Sequence, residues 1–138
     1  MTDANIDPND AGWEQFKSLP RDRPIQMLNL IRLKPVADFP EDHPNHGKGM
    51  TGGQAYEAYG KEGAEIFKRI GGRHIWSGTP EATVIGPADE RWDIAFIVEY
   101  PSADAFMSMI FDPAYREHIK LRTAAVEDSR LIRLKPSG

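Results

Sequence analysis

The chain has 138 residues, of which 40% are hydrophobic, and 17 lysines and arginines against 21 aspartates and glutamates give a net charge of -4. Length and composition predict one globular domain and exclude a disordered chain, while the acidic balance argues against nucleic acid as a partner. No apolar run is long enough to span a membrane. The lack of cysteine excludes disulfides and thiolate chemistry, and with an N-terminus unlike a signal peptide it predicts a cytoplasmic protein.

The N-terminal part of the chain predicts a short helix, a strand and a long loop. An amphipathic helix is expected over residues 7–19, with Asp7 as its N-cap. Residues 24–33 are apolar on both faces and predict a central strand. Residues 34–53, rich in proline and glycine, predict a loop.

The middle of the chain predicts a helix followed by a hairpin. Residues 54–70 have an apolar stripe at helical spacing and end at two glycines. Residues 73–85 predict a strand that is broken by a bend or divided into two. A turn at 86–90 leads to a strand at 92–100, in which large side chains alternate along one face.

The C-terminal part predicts a helix, a second helical segment and a last strand. Ser102 is the expected first N-cap, Asp112-Pro113 restarts the helix, and residues 129–135 form the strand. The order strand, helix, strand, strand, helix, strand predicts an α+β, ferredoxin-like βαββαβ fold with an antiparallel four-stranded sheet. Residues 24–138 are expected to form this domain, preceded by a helical extension over residues 1–23.

One face of the predicted sheet is apolar but carries no helices. Whichever side of the first strand meets the helices, either Met27, Ile31 and Leu33 or Leu28 and Leu30 must lie on the other side. Exposed apolar sheet of this extent needs a cover, and a second copy of the same sheet is the simplest one. The sequence therefore predicts a homodimer.

Several strings along the chain match one family. MLNLIRLK, IGGRHIWSG, ERWD, YPS, DPAY and DSRLI occur in the expected order, and the sequence over about residues 24–135 resembles the uncharacterised family called domain of unknown function 1330. This resemblance implies a dimeric α+β barrel of two ferredoxin-like sheets. Proteins of similar architecture include cofactor-free monooxygenases, lactone isomerases and haem-dependent enzymes, so the resemblance implies no particular reaction.

Polar and aromatic side chains on several elements could surround a pocket between the sheet and the helices. Trp92, Phe96 and Tyr100 are expected to face a helical stripe of Tyr59, Tyr115 and His118, with His74 nearby. His118 is the candidate catalytic base. The candidate ligand-binding residues are Asn29, Arg32, Tyr59, Arg73, Trp92, Tyr100, Tyr115 and Arg122. The alternative is that these side chains only form the core.

Such a pocket suits a cofactor-free oxygenase or isomerase that acts on a small aromatic or polyketide-like molecule. The alternative is a non-catalytic small-molecule binding or sensor protein with the same pocket. We expect no bound cofactor and no metal, because the loop holding His43 and His46 lacks fixed geometry, and little beyond His118 supports haem. The glycines between residues 47 and 53 fit neither a P-loop nor a dinucleotide fingerprint.

Overall fold

A computed structural model describes residues 4–137, which form four helices and four strands. In chain order the elements are α1 (Asp10–Ser18), β1 (Ile25–Leu33), α2 (Gly52–Arg69), β2 (Arg73–Gly78), β3 (Ile94–Tyr100), α3 (Ala103–Ile110), α4 (Pro113–Ala125) and β4 (Val126–Leu134). In the part of the chain described, no helix is both long and apolar enough to cross a membrane.

The four strands form one antiparallel sheet in the order β2-β3-β1-β4. This order is that of a ferredoxin-like fold, in which each helical connection joins two strands that have one other strand between them in the sheet. Ser102 and Asp112 cap α3 and α4 as predicted, because each side chain accepts a hydrogen bond from a backbone N–H in the first turn. The α+β fold prediction is confirmed.

Two helix starts differ from the predictions. The N-cap of α1 is Asn9 rather than Asp7, and Asn9 Oδ1 accepts a hydrogen bond from the Gly12 N–H at 2.7 Å. The start of α2 lies at Gly52 because Thr51 and Gln54 form a capping box. Glycine is required at position 52, since a Cβ there would lie 2.0 Å from the Lys34 carbonyl oxygen.

The second strand is shorter than predicted. β2 ends at Gly78, and residues 79–93 form a loop in which Val84 and Ile85 are 91% and 95% exposed. β2 is an edge strand of the sheet, so residues 4–137 offer no further strand to pair with the residues around Val84. Their β-branched side chains favour a strand, but propensity without a partner does not form one.

Alternation along the strands gives the sheet two different faces. Ile25, Met27 and the other odd-numbered residues of β1 face the helices, where Phe106 of α3 and Phe16 of α1 complete a buried core. Leu28 and Leu30 face the other way, and this second face also carries three apolar side chains from the neighbouring strands: Trp76, Ile97 and Ile132. No helix among residues 4–137 packs on this face, and Trp76 and Ile132 are 53% and 45% exposed.

Candidate functional site

A cavity of about 1470 Å³ lies between the helices and the sheet. Its walls come from α2 and α4, its floor from the helix-facing residues of β1 and β3, and a further wall from residues 5–9, which we call the N-terminal strap. Most of the lining surface is apolar or aromatic, but polar and charged side chains, five arginines among them, also contribute. This composition is typical of small-molecule sites.

All four tyrosines of the chain line this cavity. Tyr56 and Tyr59 lie on α2, Tyr100 at the end of β3, and Tyr115 on α4. The hydroxyls of Tyr59 and Tyr115 are 2.5 Å apart and form a hydrogen bond. Whichever hydroxyl donates in that bond, the other keeps a hydrogen that can be donated to a third group.

Burial raises the pKa of each of these tyrosines above its ordinary value of about 10. The phenols also raise one another's pKa: ionised Tyr59 would repel a second negative charge on Tyr56, Tyr100 or Tyr115. The four hydroxyls therefore lie within electrostatic reach of one another. At neutral pH they are protonated, so the cluster supplies hydrogen-bond donors rather than a base.

Arg122 of α4 places a positive charge beside the tyrosine cluster. Its guanidinium lowers the pKa of Tyr56, Tyr59 and Tyr115, although burial outweighs this effect. Nη1 donates to the Ile6 carbonyl at 2.5 Å and Nη2 to Ser129 Oγ at 3.3 Å, which fixes the guanidinium at the cavity wall. A partial negative charge on a bound molecule would be stabilised here.

The N-terminal strap is attached by polar contacts to β4. The Asn5 backbone N–H donates to Asp128 Oδ1 at 3.0 Å, and Ser129 Oγ donates to the Asn5 carbonyl at 2.6 Å. Burial alone would raise the pKa of Asp128, but hydrogen bonds from Asn5 and Ser129 outweigh it and hold this pKa below its ordinary value. Hydrogen bonds to β4 thus fix the strap as part of the cavity wall.

The cavity brings together five of the predicted site residues and leaves a sixth at its edge. Asn29, Tyr59, Tyr100, Tyr115 and Arg122 all line it. Asn29 donates through Nδ2 to the Met27 carbonyl, so its Oδ1 can accept from a ligand. Arg73 also borders the cavity, but its guanidinium pairs with Glu99 on the opposite face of the sheet.

Two predicted site residues lie away from the cavity. Arg32 projects from the other face of β1, within reach of Glu127 and Asp128. Trp92 precedes β3, and the Arg130 guanidinium stacks over its ring. The alternation that would turn Trp92 towards the helices applies only inside the strand, which begins two residues later. The structure corrects both placements.

His118 also lies outside the cavity, contrary to the expected shared stripe. Its Nδ1 is 3.3 Å from Glu62 Oε2, at the outer side of the contact between α2 and α4. At 100° per residue, the cavity-facing stripe of α4 is centred among Tyr115, Ile119 and Arg122, and His118 falls on its flank. His118 is therefore not carried into the proposal below.

Tyr56, Ser129 and the N-terminal strap were missed as site components. The helical spacing could have indicated Tyr56, because it lies three and four residues before Tyr59 and Gly60 on the same side of α2. Ser129 and the strap are far apart in the sequence, and only the folded chain brings them into contact. His74, noted in the sequence as a neighbour of the set, does line the cavity from β2.

A smaller hollow next to His118 contains His43, Glu62 and Glu117. Histidine and glutamate side chains of this kind can bind metal ions. Among residues 4–137, however, no three histidine or acidic side chains are grouped so that they could hold an ion. His43 Nδ1 accepts from the Asn45 N–H, and its ring stacks on Phe39.

Solved structures resemble this chain over nearly its whole length. A protein of unknown function from Rhodopseudomonas palustris is 50% identical, with a TM-score of 0.88 over 99% of each chain. A methylated form of that protein matches with a TM-score of 0.89 at the same identity, over 98% of this chain and 96% of that one. No functionally curated protein matched the sequence.

A more distant structure supports the fold alone. A dabb family protein with a ferredoxin-like fold, from Mesorhizobium loti, is 17% identical over 83% of this chain and 98% of its own, with a TM-score of 0.51.

Fold and cavity together define a ferredoxin-like α+β protein with a tyrosine-lined cavity between its sheet and helices. The model of the family described as domain of unknown function (DUF1330) matches residues 49–133. The chain belongs to that family, as the sequence motifs indicated.

Proposed function

We propose that the protein binds a small, mostly apolar aromatic or polyketide-like molecule whose carbonyl or hydroxyl oxygen meets the tyrosine cluster. The observation that carries this proposal is the convergence of all four tyrosines, with Arg122 beside them, in one cavity. Within residues 4–137 no hydrogen bond joins the hydroxyl of Tyr56 or of Tyr100 to another protein group. Both residues line the cavity, where an oxygen-bearing ligand would give their hydroxyls a partner.

The test is a thermal-shift comparison of 1-naphthol with naphthalene. A molecule that binds only the folded state raises the melting temperature, and the hydroxyl should make 1-naphthol the stronger ligand. Replacing both Tyr59 and Tyr115 by phenylalanine should lower the affinity for 1-naphthol about tenfold and leave that for naphthalene nearly unchanged. His118→Gln is the control, because this side chain lies outside the cavity. Equal shifts with both compounds in the wild type would contradict the proposal.

A second candidate function is enolate chemistry in the same cavity, as in a cofactor-free isomerase or oxygenase. The observation that favours it is the hydrogen-bonded pair of Tyr59 and Tyr115, a neutral donor set suited to an enolate oxygen. In an isomerase, a base such as His74 would remove a proton beside a carbonyl, and the proton would return at another carbon. In an oxygenase, the enolate would react with dissolved O₂ instead.

Exchange of ligand hydrogens with solvent distinguishes this chemistry from binding alone. In D₂O, a catalyst of enolisation should speed deuterium incorporation beside the carbonyl of 2-tetralone, which NMR follows directly. Phenylalanine at positions 59 and 115 should slow this exchange at saturating ketone by about 10²-fold or more, the usual cost of losing oxyanion donors. A rate with wild-type protein equal to that in buffer would contradict the enolate chemistry and leave the binding proposal to the thermal-shift test.

The protein is further proposed to act as a homodimer joined through the sheet face opposite the helices. Leu28, Leu30 and the exposed Trp76 form part of an apolar surface on that face. Val84 and Ile85, at the tip of the loop after β2, add apolar surface that a single chain leaves in solvent. The cytoplasmic location stays a prediction from the sequence.

A further inference from the structure

Two glycines in the middle of α2 occupy positions where packing leaves room for a methyl group. Gly60 and Gly63 both line the cavity, and a Cβ added at either would have no atom within 4 Å. Neither has the positive φ that favours glycine. Packing and backbone conformation therefore both allow alanine at these two positions.

Glycine inside a helix is unfavourable relative to alanine, because it loses more backbone freedom on folding. At Gly52 this cost has a visible reason, since a side chain would collide with the Lys34 carbonyl. At Gly60 and Gly63 the folded chain shows no such reason. What the two glycines do provide is open space along one side of α2.

This open space lies at the mouth of the cavity. Across from α2, the cavity is lined by His74 and Ser77 of β2 and by Phe96 of β3. Gly60, His74 and Ser77 are all exposed, which marks the gap between α2 and the edge strand as an opening to solvent. The Phe67 ring of α2, 5.5 Å from His74, borders the same gap.

A second observation points from the opening to a ligand. Tyr100 is only 5% exposed and lines the same cavity, yet its hydroxyl has no hydrogen-bond partner within residues 4–137. An apolar molecule that enters between α2 and β2 with an oxygen at its leading end would bring the missing partner. The gap and the Tyr100 hydroxyl, which has no protein partner within residues 4–137, both suit such a molecule.

We propose that Gly60 and Gly63 form a slot that admits a flat, fused-ring phenol or ketone, whose ring face lies on the bare backbone of α2 while its oxygen reaches the tyrosine cluster. The slot selects for ring breadth, whereas the tyrosines select for the oxygen. This inference rests on the proposed function and adds the residues that determine ligand width. A side chain at position 63 would occupy the space that the outer rings need.

The test measures binding of 1-hydroxypyrene by fluorescence anisotropy and of the narrower 1-naphthol by thermal shift. Gly63→Leu should weaken 1-hydroxypyrene binding at least tenfold and leave 1-naphthol binding within about threefold. Gly63→Ala should raise the melting temperature by about 3 °C while weakening 1-hydroxypyrene binding less than leucine does. Gly53→Ala is the matched control, because position 53 of α2 lies outside the cavity and has room for a methyl group.

The outcomes separate the slot from the proposed function. If 1-hydroxypyrene binds wild type and Gly63→Leu equally while 1-naphthol binding still depends on Tyr59 and Tyr115, the slot is overturned and the proposed function stands. If neither compound binds the wild type, the proposed function fails and the slot with it. A melting temperature lowered by Gly63→Ala would show that the space is not free, which also overturns the slot.

Discussion

At the scale of single residues, the shared burial of the four tyrosines determines what the cavity can do. A phenol with a raised pKa is a weak acid and stays protonated, so each hydroxyl donates to an oxygen acceptor over the physiological pH range. Arg122 supplies the positive charge that the hydroxyls lack. The cavity therefore suits an acceptor with partial negative charge better than a cation.

The first prediction concerns alkaline titration. Because folding raises these pKa values above about 10, the folded chain keeps protons that the unfolded chain releases. The corresponding stability is complete below pH of about 10 and is lost as the pH rises further. All four tyrosines belong to the cluster, so native protein near pH 10 should show almost no tyrosinate absorbance, whereas protein in urea should be about half ionised. Half ionisation of the native protein there would contradict the cluster.

Regular helix and strand periods predicted which residues share a side, but not which side meets the cavity. Tyr59, Tyr115 and Arg122 follow the helical repeat, Asn29 and Tyr100 follow the alternation of their strands, and all five line the cavity. Their part in binding stays a prediction. His118 was predicted to face the cavity because it lies close to Tyr115 and Arg122 on α4, but helical spacing does not show which of these neighbouring residues points to the centre of the cavity. Trp92 was misplaced because alternation was extended beyond the start of β3.

At the scale of elements, the Asp128 carboxylate is one of the groups that hold the N-terminal strap, with Ser129 and Arg122. Asp128 accepts hydrogen bonds from both the backbone N–H and the side-chain amide of Asn5. Because folding lowers the pKa of Asp128, its charge stabilises the folded chain above pH of about 4, and this stabilisation is lost as the pH falls through the pKa of the folded state.

The second prediction is that Asp128→Asn loosens the strap. The side-chain amide of the variant is a weaker acceptor than the carboxylate, so the backbone N–H of Asn5 should exchange its hydrogen several-fold faster. The same faster exchange is expected in the wild type at acidic pH, where Asp128 is protonated. Amide hydrogen exchange measured by NMR follows this residue, with the β1 amides as an internal control. Unchanged exchange at Asn5 in the variant would show that Asp128 does not hold the strap.

Element order was predictable from the sequence, but the end of β2 and the contacts of the strap were not. Residues around Val84 have the composition of a strand, and only the position of β2 at the sheet edge shows that residues 4–137 offer them no strand to pair with. The strap shows no regular period, and its contacts reach β4 at the far end of the sequence. Local patterns cannot reveal contacts of that kind.

At the scale of the whole molecule, the apolar sheet face leads to the third prediction. The protein should have twice its chain mass of 15.5 kDa in light scattering at micromolar concentration, because a monomer would expose Leu28, Leu30 and Trp76. Leu30→Glu should yield monomers, since it places a charge in the buried interface. If that variant folds poorly, Trp76→Glu makes the same test on a side chain that is already half exposed.

The matched control for this prediction is Val36→Glu, which introduces the same charge at an exposed apolar residue outside the sheet. It should remain dimeric. A wild-type protein that is monomeric at every concentration would contradict the dimer and leave the cavity account unaffected.

NMR of protein carrying ¹³C at the tyrosine ζ carbons shows directly whether the tyrosine cluster receives an oxygen-bearing ligand. Every signal then reports on the cavity, because the chain has four tyrosines and all of them line it. Titration with 1-naphthol should shift the signals of Tyr59 and Tyr115 and of at least one of Tyr56 and Tyr100, while naphthalene should shift them much less. If 1-naphthol binds and all four signals stay in place, the ligand site lies elsewhere and the account is wrong.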